Sequence, residues 1–325
     1  MVKRINSIQA LRFIAAFSVI FVHLPMFGFG AWGVDIFFVI SGFIMAYITN
    51  ISSENFLIKR LIRIVPLYWM LTLIVFIISI YKPNLLNNTT PNIEHLIKSL
   101  LFIPFDKNGT GHFPILFLGW SLNFEILFYL VFFISIKFKK RMREYLAISF
   151  LILIFLFSNF MSDKNFIFKV YSDSILLEFI YGIIIFKLYK KDYLYKFINK
   201  KNLSFYIFFI FLITLLISSQ FDLLRVLSYG LPASLILLFF LTLSKDNLFH
   251  KSIILLGDAS YAIYLSHPFI IQIFYKIFKL NIGLNYINFF ISLFLVVLIL
   301  VVSIIIHIYF EKKASLILKK KLNLK

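Results

Sequence analysis

The sequence predicts an all-α integral membrane protein: a bundle of about ten transmembrane helices with both termini in the cytoplasm. Its 325 residues are 61% hydrophobic and only 14% charged, with a mean hydropathy of +0.94. A soluble globular domain is about 45–50% apolar and about 25% charged, so this class is excluded. The apolar residues form long continuous runs rather than strands of alternating polarity, which favours helices over a closed barrel.

Each run is about 20 residues long, the length that a helix needs to cross the hydrocarbon core. The predicted spans are 8–27, 32–50, 64–82, 114–136, 145–161, 173–189, 203–219, 224–243, 252–275 and 285–310. The first run carries Arg12 and His23 inside its apolar stretch and lacks a small-residue cleavage site after it. We therefore expect a retained span rather than a cleaved signal peptide.

The charge distribution sets the orientation. Net charge is +19, and about three quarters of the 33 Lys and Arg residues fall in alternate gaps between spans, beginning at Lys3 and ending in the run 319–321. This pattern predicts cytoplasmic termini, a basic cytoplasmic tail at 312–325 and an inner (plasma) membrane location. Because the basic residues lie in short gaps, we expect contacts with anionic membrane lipids and none with nucleic acid. The chain has no cysteine, which excludes disulfides and a cysteine nucleophile.

Ionisable side chains at bilayer depth are candidate functional residues, because each costs at least about 2.5–3.5 kcal/mol to insert. They are Arg12, His23, Asp35, Glu125, Glu178, Asp258 and His267. No two histidines are spaced at i, i+3 or i, i+4 beside a carboxylate, so we expect no metal site.

Arg12 and His23 share one face of the first helix. Eleven residues at about 100° each come within about 20° of three full turns, and the two side chains lie about 16 Å apart along the axis. Asp35 follows a glycine-containing turn and is expected at the depth of His23, where a carboxylate would orient the imidazole of a general base. Two structural alternatives stay open: Arg12 pairs with Asp258, and Asp35 caps the second helix.

Further along, Glu125 is expected near the middle of the fourth span, with Tyr129 one turn away and Trp120 and Ser121 on the other side. The alternative for Glu125 and Tyr129 is a hydrogen-bonded packing pair. Outside the spans, Arg60 and Arg63 lie at i, i+3 on one helical face, and the alternative is that they only orient the chain. The alternative for Glu178 is a structural pair with a histidine.

Six segments, taken in order, closely resemble the acyltransferase 3 family of bacterial membrane acyltransferases over about residues 5–311. They are LRFIAAFSVIFVH (11–23), GVDIFFVISGF (33–43), RLIRIVPLYW (60–69), WSLNFEILFY (120–129), EFIYG (178–182) and YAIYLSHP (261–268). Two features depart from the family. Glu311 is followed by lysines rather than by the usual Glu-x-Pro ending, and we expect no soluble hydrolase-like domain after the bundle.

The resemblance implies transfer of an acyl group, usually acetyl, from cytoplasmic acyl-CoA to a hydroxyl of an extracytoplasmic carbohydrate such as surface polysaccharide, O-antigen or peptidoglycan. It implies His23 as general base or transient acyl carrier, Asp35 as its orienting group and Glu125 as a further catalytic or acceptor-holding residue. The implied coenzyme A phosphate ligands are Arg12, Arg60 and Arg63. The implied residues on the acceptor and acyl side are Trp120, Ser121, Tyr129, Glu178 and His267.

One other class fits the same buried charges: a secondary transporter, or an exporter of acyl groups without acceptor chemistry of its own. Against it, the sequence has no internal repeat and no pair of Gly- or Pro-broken helices at matching positions of two halves. The release of free coenzyme A in proportion to modified acceptor separates the two classes.

Overall fold

A computed structural model describes residues 4–86, 89–106, 111, 113–191, 209, 224–243, 248–278 and 286–324. In these ranges every regular element is helical, as the continuous apolar runs predict. The helices are α1 Asn6–His23, α2 Gly33–Ile51, α3 Phe56–Tyr81, α4 Ile93–Leu100, α5 Gly119–Ile136, α6 Arg143–Met161, α7 Phe166–Tyr171, α8 Glu178–Lys190, α9 Leu231–Thr242, α10 Lys251–Asp258, α11 Ser260–Ile277, α12 Tyr286–Ile306 and α13 Lys312–Lys321.

Among the described residues, six helical stretches are long and apolar enough to cross a membrane. They are α1, α2, α3, α5, α6 with the preceding turn, and the continuous stretch Tyr286–Lys321 that joins α12 to α13 through a π-helical turn. Reading α10 and α11 together gives a seventh. These helices establish a multi-span helical protein, whereas the count of ten and the orientation of the termini stay predictions.

Two predicted spans consist of a turn followed by a short α-helix. The span expected at 173–189 consists of a 3₁₀ turn, Ser174–Leu177, followed by the 13-residue α8. The span at 224–243 consists of a π-helical turn, Val226–Gly230, followed by the 12-residue α9. The span at 203–219 lies outside the described residues, apart from Phe209.

The chain forms two compact units. The first unit comprises Met1–Ala15, Trp32–Phe56 and Phe124–Gly257; the second comprises Ala16–Ala31, Leu57–Asn123 and Asp258–Lys325. Because α1 and α5 each pass from one unit into the other, Arg12 belongs to the first unit and His23 to the second.

In the first unit, α2 and α8 approach each other backbone to backbone. A Cβ atom on Gly182 would lie 2.0 Å from the carbonyl oxygen of Val39, and one on Gly42 would lie 2.1 Å from that of Phe179. Small residues permit such close packing between membrane helices. The ring of Phe179 also stacks on Phe128 of α5, with centroids 4.2 Å apart. This packing fixes the two acidic residues at the beginnings of α2 and α8.

In the second unit, side-chain hydrogen bonds tie α3 to its neighbours. The Tyr68 hydroxyl donates to the carbonyl of Ser99 in α4, at 3.1 Å. The Tyr261 hydroxyl of α11 donates to the carbonyl of Ile64, at 2.8 Å. The first bond therefore holds α4 against α3, and the second holds α11 against α3.

Candidate active site

Two histidines of the second unit lie in direct contact. His23 is the last residue of α1, and its Nδ1 lies 3.1 Å from Nε2 of His267 in α11. The ring centroids are 4.9 Å apart, with the planes at 64°. His267 is completely buried, whereas His23 is half-buried. Sequence analysis named both residues, and the structure adds that they form a pair.

Aromatic and hydroxyl side chains surround this pair. The ring of Phe117 lies 5.6 Å from that of His23, and the ring of Tyr264 lies 6.3 Å from that of His267, centroid to centroid. The Tyr264 hydroxyl is 2.8 Å from Oγ of Ser121, a predicted substrate-binding residue. Sequence analysis did not assign a role to Tyr264. Its spacing of three residues from His267, on one helical face, is the signal that could have found it.

The first unit holds a separate buried cluster around Asp35. The guanidinium of Arg225 donates two hydrogen bonds to the Asp35 carboxylate, from Nε to Oδ1 at 2.9 Å and from Nη2 to Oδ2 at 3.1 Å. Asp35 is completely buried, whereas the Arg225 side chain is 31% exposed. The sequence predicts that Asp35 orients His23, and it does not single out Arg225 as a functional residue. The observed geometry is a bidentate ion pair that engages both carboxylate oxygens.

Glu178, the first residue of α8, lies beside this ion pair and is also completely buried. Its carboxyl group interacts with that of Asp35, and neither of its oxygens has a further hydrogen-bond partner within the described part of the chain. Gly230, the last residue of the π-helical turn, makes room for it: a Cβ atom there would lie 2.9 Å from Cγ of Glu178. Sequence analysis placed Glu178 on the acceptor side, but in this conformation the side chain has no exposed surface with which to contact an acceptor.

Glu125 of α5 accepts a hydrogen bond from Oγ of Ser41 in α2, at 2.5 Å. Ser41 is buried, whereas Glu125 is half-buried and therefore accessible. Tyr129, one turn further along α5, is buried with its ring edge-on to Phe56, at 6.4 Å between centroids. Sequence analysis did not assign a role to Ser41. Its place in the segment 33–43, which resembles a family motif, is the signal that could have found it.

The predicted phosphate-binding arginines are all half-buried. Arg60 and Arg63 lie in the first two turns of α3. Arg12 lies in α1, where its Nη1 is 3.3 Å from Oε1 of Gln9. Trp120, at the beginning of α5, is half-buried too. Across the described ranges, no three His, Cys, Asp or Glu side chains gather in a way that could hold a metal ion.

Comparison with known proteins identifies the family of this chain. The acyltransferase 3 family model, described as an acyltransferase domain, matches residues 5–308. The exopolysaccharide production protein ExoZ of Rhizobium meliloti (strain 1021) is 32% identical over 265 residues, which cover 80% of this chain and 82% of that protein. The putative acetyltransferase ORF330 of Acidianus two-tailed virus is 24% identical over 286 residues, or 80% of this chain and 81% of that protein.

A shorter match links the chain to the peptidoglycan O-acetyltransferase OatA of Listeria monocytogenes, with 29% identity over 153 residues, 40% of this chain and 24% of that protein. No solved structure matches significantly. The family match covers nearly the whole chain and includes all six segments on which the resemblance rested. The chain belongs to the acyltransferase 3 family and is an enzyme that transfers acyl groups.

Proposed function

We propose that this enzyme transfers an acetyl group from cytoplasmic acetyl-CoA to a hydroxyl of an extracytoplasmic carbohydrate, within the inner membrane. The observation that carries the proposal is the half-buried His23 ring backed by the completely buried His267. A hydroxyl is a weak nucleophile near neutral pH, and histidine is the commonest general base that activates one. Two relatives are an exopolysaccharide production protein and a peptidoglycan O-acetyltransferase, which supports a carbohydrate acceptor.

The reaction needs one base and no metal. His23 takes the proton of the carbohydrate hydroxyl while the oxygen attacks the thioester carbonyl of acetyl-CoA. The tetrahedral intermediate then collapses, the carbon–sulfur bond breaks, and the proton passes from the imidazolium to the leaving thiolate. The products are an acetyl ester and free coenzyme A, and His23 returns to its neutral state.

Three arginines are proposed to bind the phosphates of the donor. Guanidinium groups bind phosphate bidentately and keep their charge under all conditions. Arg60 and Arg63 project from one face of α3, and the Tyr261 hydroxyl holds the adjacent turn through the carbonyl of Ile64. Arg12 is half-buried as well, and its Nη1 lies 3.3 Å from Oε1 of Gln9.

Glu125 is proposed to accept a hydrogen bond from the carbohydrate, in a conformation set by Ser41. Trp120 and Ser121, one turn earlier in α5, supply further contacts to the acceptor, and Tyr129 supports the helix from its buried position. A small number of fixed polar groups in an otherwise apolar environment is the usual composition of a specific ligand site.

The test compares acetyl ester on purified cell-surface glycans from a deletion strain complemented with wild type, His23→Ala or His250→Ala. His250 is an exposed histidine that contacts its neighbour Ser252, so it is the matched control. We expect alkali-labile acetyl ester to disappear on deletion and to return with wild type and the control, but not with His23→Ala. Immunoblots of membranes verify equal expression.

Two results would overturn the proposal. If ester returns in full with His23→Ala, the histidine is not the base. If deletion leaves ester unchanged in every glycan fraction, the acceptor is not a surface carbohydrate.

A further inference from the structure

We propose that His267 is a positioning residue: it holds His23 in the tautomer that carries its proton on Nδ1, so that Nε2 is the basic nitrogen facing the acceptor. This inference rests on the proposed function and assigns the orienting role to His267 rather than to Asp35. It follows from the hydrogen-bonding chemistry of two rings and two backbone carbonyls.

The tautomer of His267 is fixed by its own helix. Its Nδ1 lies 2.9 Å from the carbonyl oxygen of Ile263. A carbonyl oxygen only accepts, so Nδ1 must carry the hydrogen. A neutral imidazole has a single N–H, and therefore Nε2 of His267 holds a lone pair. The nitrogen that faces His23 is thus an acceptor.

The state of His23 then follows. Its Nδ1 lies 3.1 Å from that acceptor and 3.2 Å from the carbonyl oxygen of Val19. Both neighbours accept, and each independently requires a hydrogen on Nδ1 of His23. The lone pair of the neutral ring therefore lies on Nε2, the nitrogen opposite the pair.

Of these two acceptors, His267 is the one that can fix the ring orientation. The Val19 carbonyl belongs to α1 and is the normal partner of the His23 backbone N–H. His267 comes from another helix, is completely buried and makes the shorter contact. Its helix is held on two sides, by Tyr261 on Ile64 and by Ser266, whose Oγ lies 3.0 Å from Oγ of Ser303 in α12.

This arrangement has the logic of the catalytic triad, in which a third group orients the imidazole and supports the imidazolium that forms. A carboxylate normally fills that place. In this enzyme both oxygens of Asp35 are engaged by Arg225, and a neutral imidazole bonds to the Nδ1 side of His23.

The test compares His267→Gln, His267→Asn and His267→Phe in membrane vesicles that carry the endogenous acceptor. The probe is radiolabelled acetyl-CoA, and the readout is the initial rate of label entering alkali-labile glycan ester as acetyl-CoA is varied. A Gln amide oxygen reaches about as far as Nε2 of histidine, an Asn oxygen only about as far as Nδ1, and Phe offers no acceptor. His250→Ala is the matched control, because it removes an exposed histidine that lies outside the pair.

We expect His267→Phe and His267→Asn to lower the maximal rate by about 10²–10⁴-fold, the effect of losing a correctly oriented base. The half-saturating acetyl-CoA concentration should change by less than about threefold, because donor binding is not involved. His267→Gln should keep the rate within about tenfold of wild type, since it restores the acceptor. Full activity of the Phe variant, or equal loss in the Gln and Phe variants at equal protein level, would overturn the inference.

Nitrogen NMR of enzyme with isotope-labelled histidine provides a second readout that a purely structural role would not predict. The His23 signals, assigned by their absence in His23→Gln, should show a protonated Nδ1 and an unprotonated Nε2; the opposite pattern contradicts the inference. The two proposals also fail separately. If His23→Ala is active, the proposed function is wrong. If His23→Ala is inactive but His267→Phe is fully active, only the role of His267 is wrong.

Discussion

The two units of this enzyme bury ionisable groups in opposite ways. In the second unit, the half-buried His23 contacts the completely buried His267. In the first unit, the completely buried Asp35 is closed off by a bidentate bond to Arg225, with the buried Glu178 beside it. Both clusters contain residues that sequence analysis marked as functional because of their cost in a membrane.

The difference shows that burial of a charge does not by itself identify a catalytic group. Removal of one member of a buried bidentate ion pair leaves an uncompensated charge, which destabilises the fold. A partly exposed histidine that donates a hydrogen bond from one ring nitrogen keeps a lone pair on the other nitrogen. This lone pair can accept a proton from a substrate. We therefore expect the role of a buried ionisable residue to depend on its hydrogen-bond partner and on how much of its surface stays exposed. Substitution of the partner tests this expectation.

The largest effect is expected in the first unit. Arg225→Met leaves the completely buried Asp35 carboxylate without its bidentate partner, which should reduce the free energy of unfolding by about 3–5 kcal/mol. Thermal unfolding of detergent-solubilised protein, followed by size-exclusion chromatography, measures the loss. The double variant Asp35→Asn with Arg225→Met is the matched control and should recover most of the stability, since it removes both charges. If Arg225→Met is as stable as wild type, the buried Asp35 carboxylate does not depend on its bidentate partner, and the contrast drawn between the two units is wrong.

Sequence alone predicts much of this enzyme. The helical class follows from composition, and the family follows from six ordered segments that the match over residues 5–308 confirms. The candidate residues follow from the cost of charge inside a bilayer, which makes Arg12, His23 and Glu125 conspicuous without any structure. These inferences need only local information, such as residue type, spacing and hydropathy.

The pairing of those residues could not be predicted in the same way. His23 contacts a residue 244 positions away, and Asp35 one that is 190 positions away. Such partners are chosen by helix packing, here by the glycine contact between α2 and α8 and by the hydrogen bonds that hold α11. A hydropathy profile does not predict the π-helical turn after Arg225 either. This turn places Gly230 against the side chain of Glu178.

A smaller effect is expected at Glu125, which is half-buried, whereas Asp35 and Glu178 of the same unit are completely buried. Ser41→Ala removes the hydroxyl that donates to Glu125 at 2.5 Å. A hydrogen bond to a charged group contributes about 1.5–3 kcal/mol, so we expect the acetyl-transfer rate to fall by about tenfold or more. The vesicle assay with radiolabelled acetyl-CoA measures it.

Ser234→Ala is the matched control for this change. Ser234 lies in the same unit and donates only within its own helix, to the carbonyl of Leu231 at 2.6 Å in the described structure. It should leave the rate unchanged. If Ser41→Ala behaves like this control, Glu125 belongs with the structural acids of the first unit.

The smallest effect is expected at Tyr264, on the edge of the histidine pair. Tyr264→Phe removes a hydroxyl that lies 2.8 Å from Oγ of Ser121, a neutral hydrogen bond that contributes about 0.5–1.5 kcal/mol. If this bond positions α11 beside α5 for catalysis, the transfer rate should fall by about two- to tenfold, with the histidine tautomer unchanged. Tyr275→Phe is the matched control in the same helix, because the Tyr275 hydroxyl interacts with Ser292 of α12 and not with Ser121. If the two variants have equal transfer rates, the active site does not include the Tyr264 hydroxyl. If only Tyr264→Phe lowers the rate, the active site includes Tyr264 of α11 and Ser121 of α5.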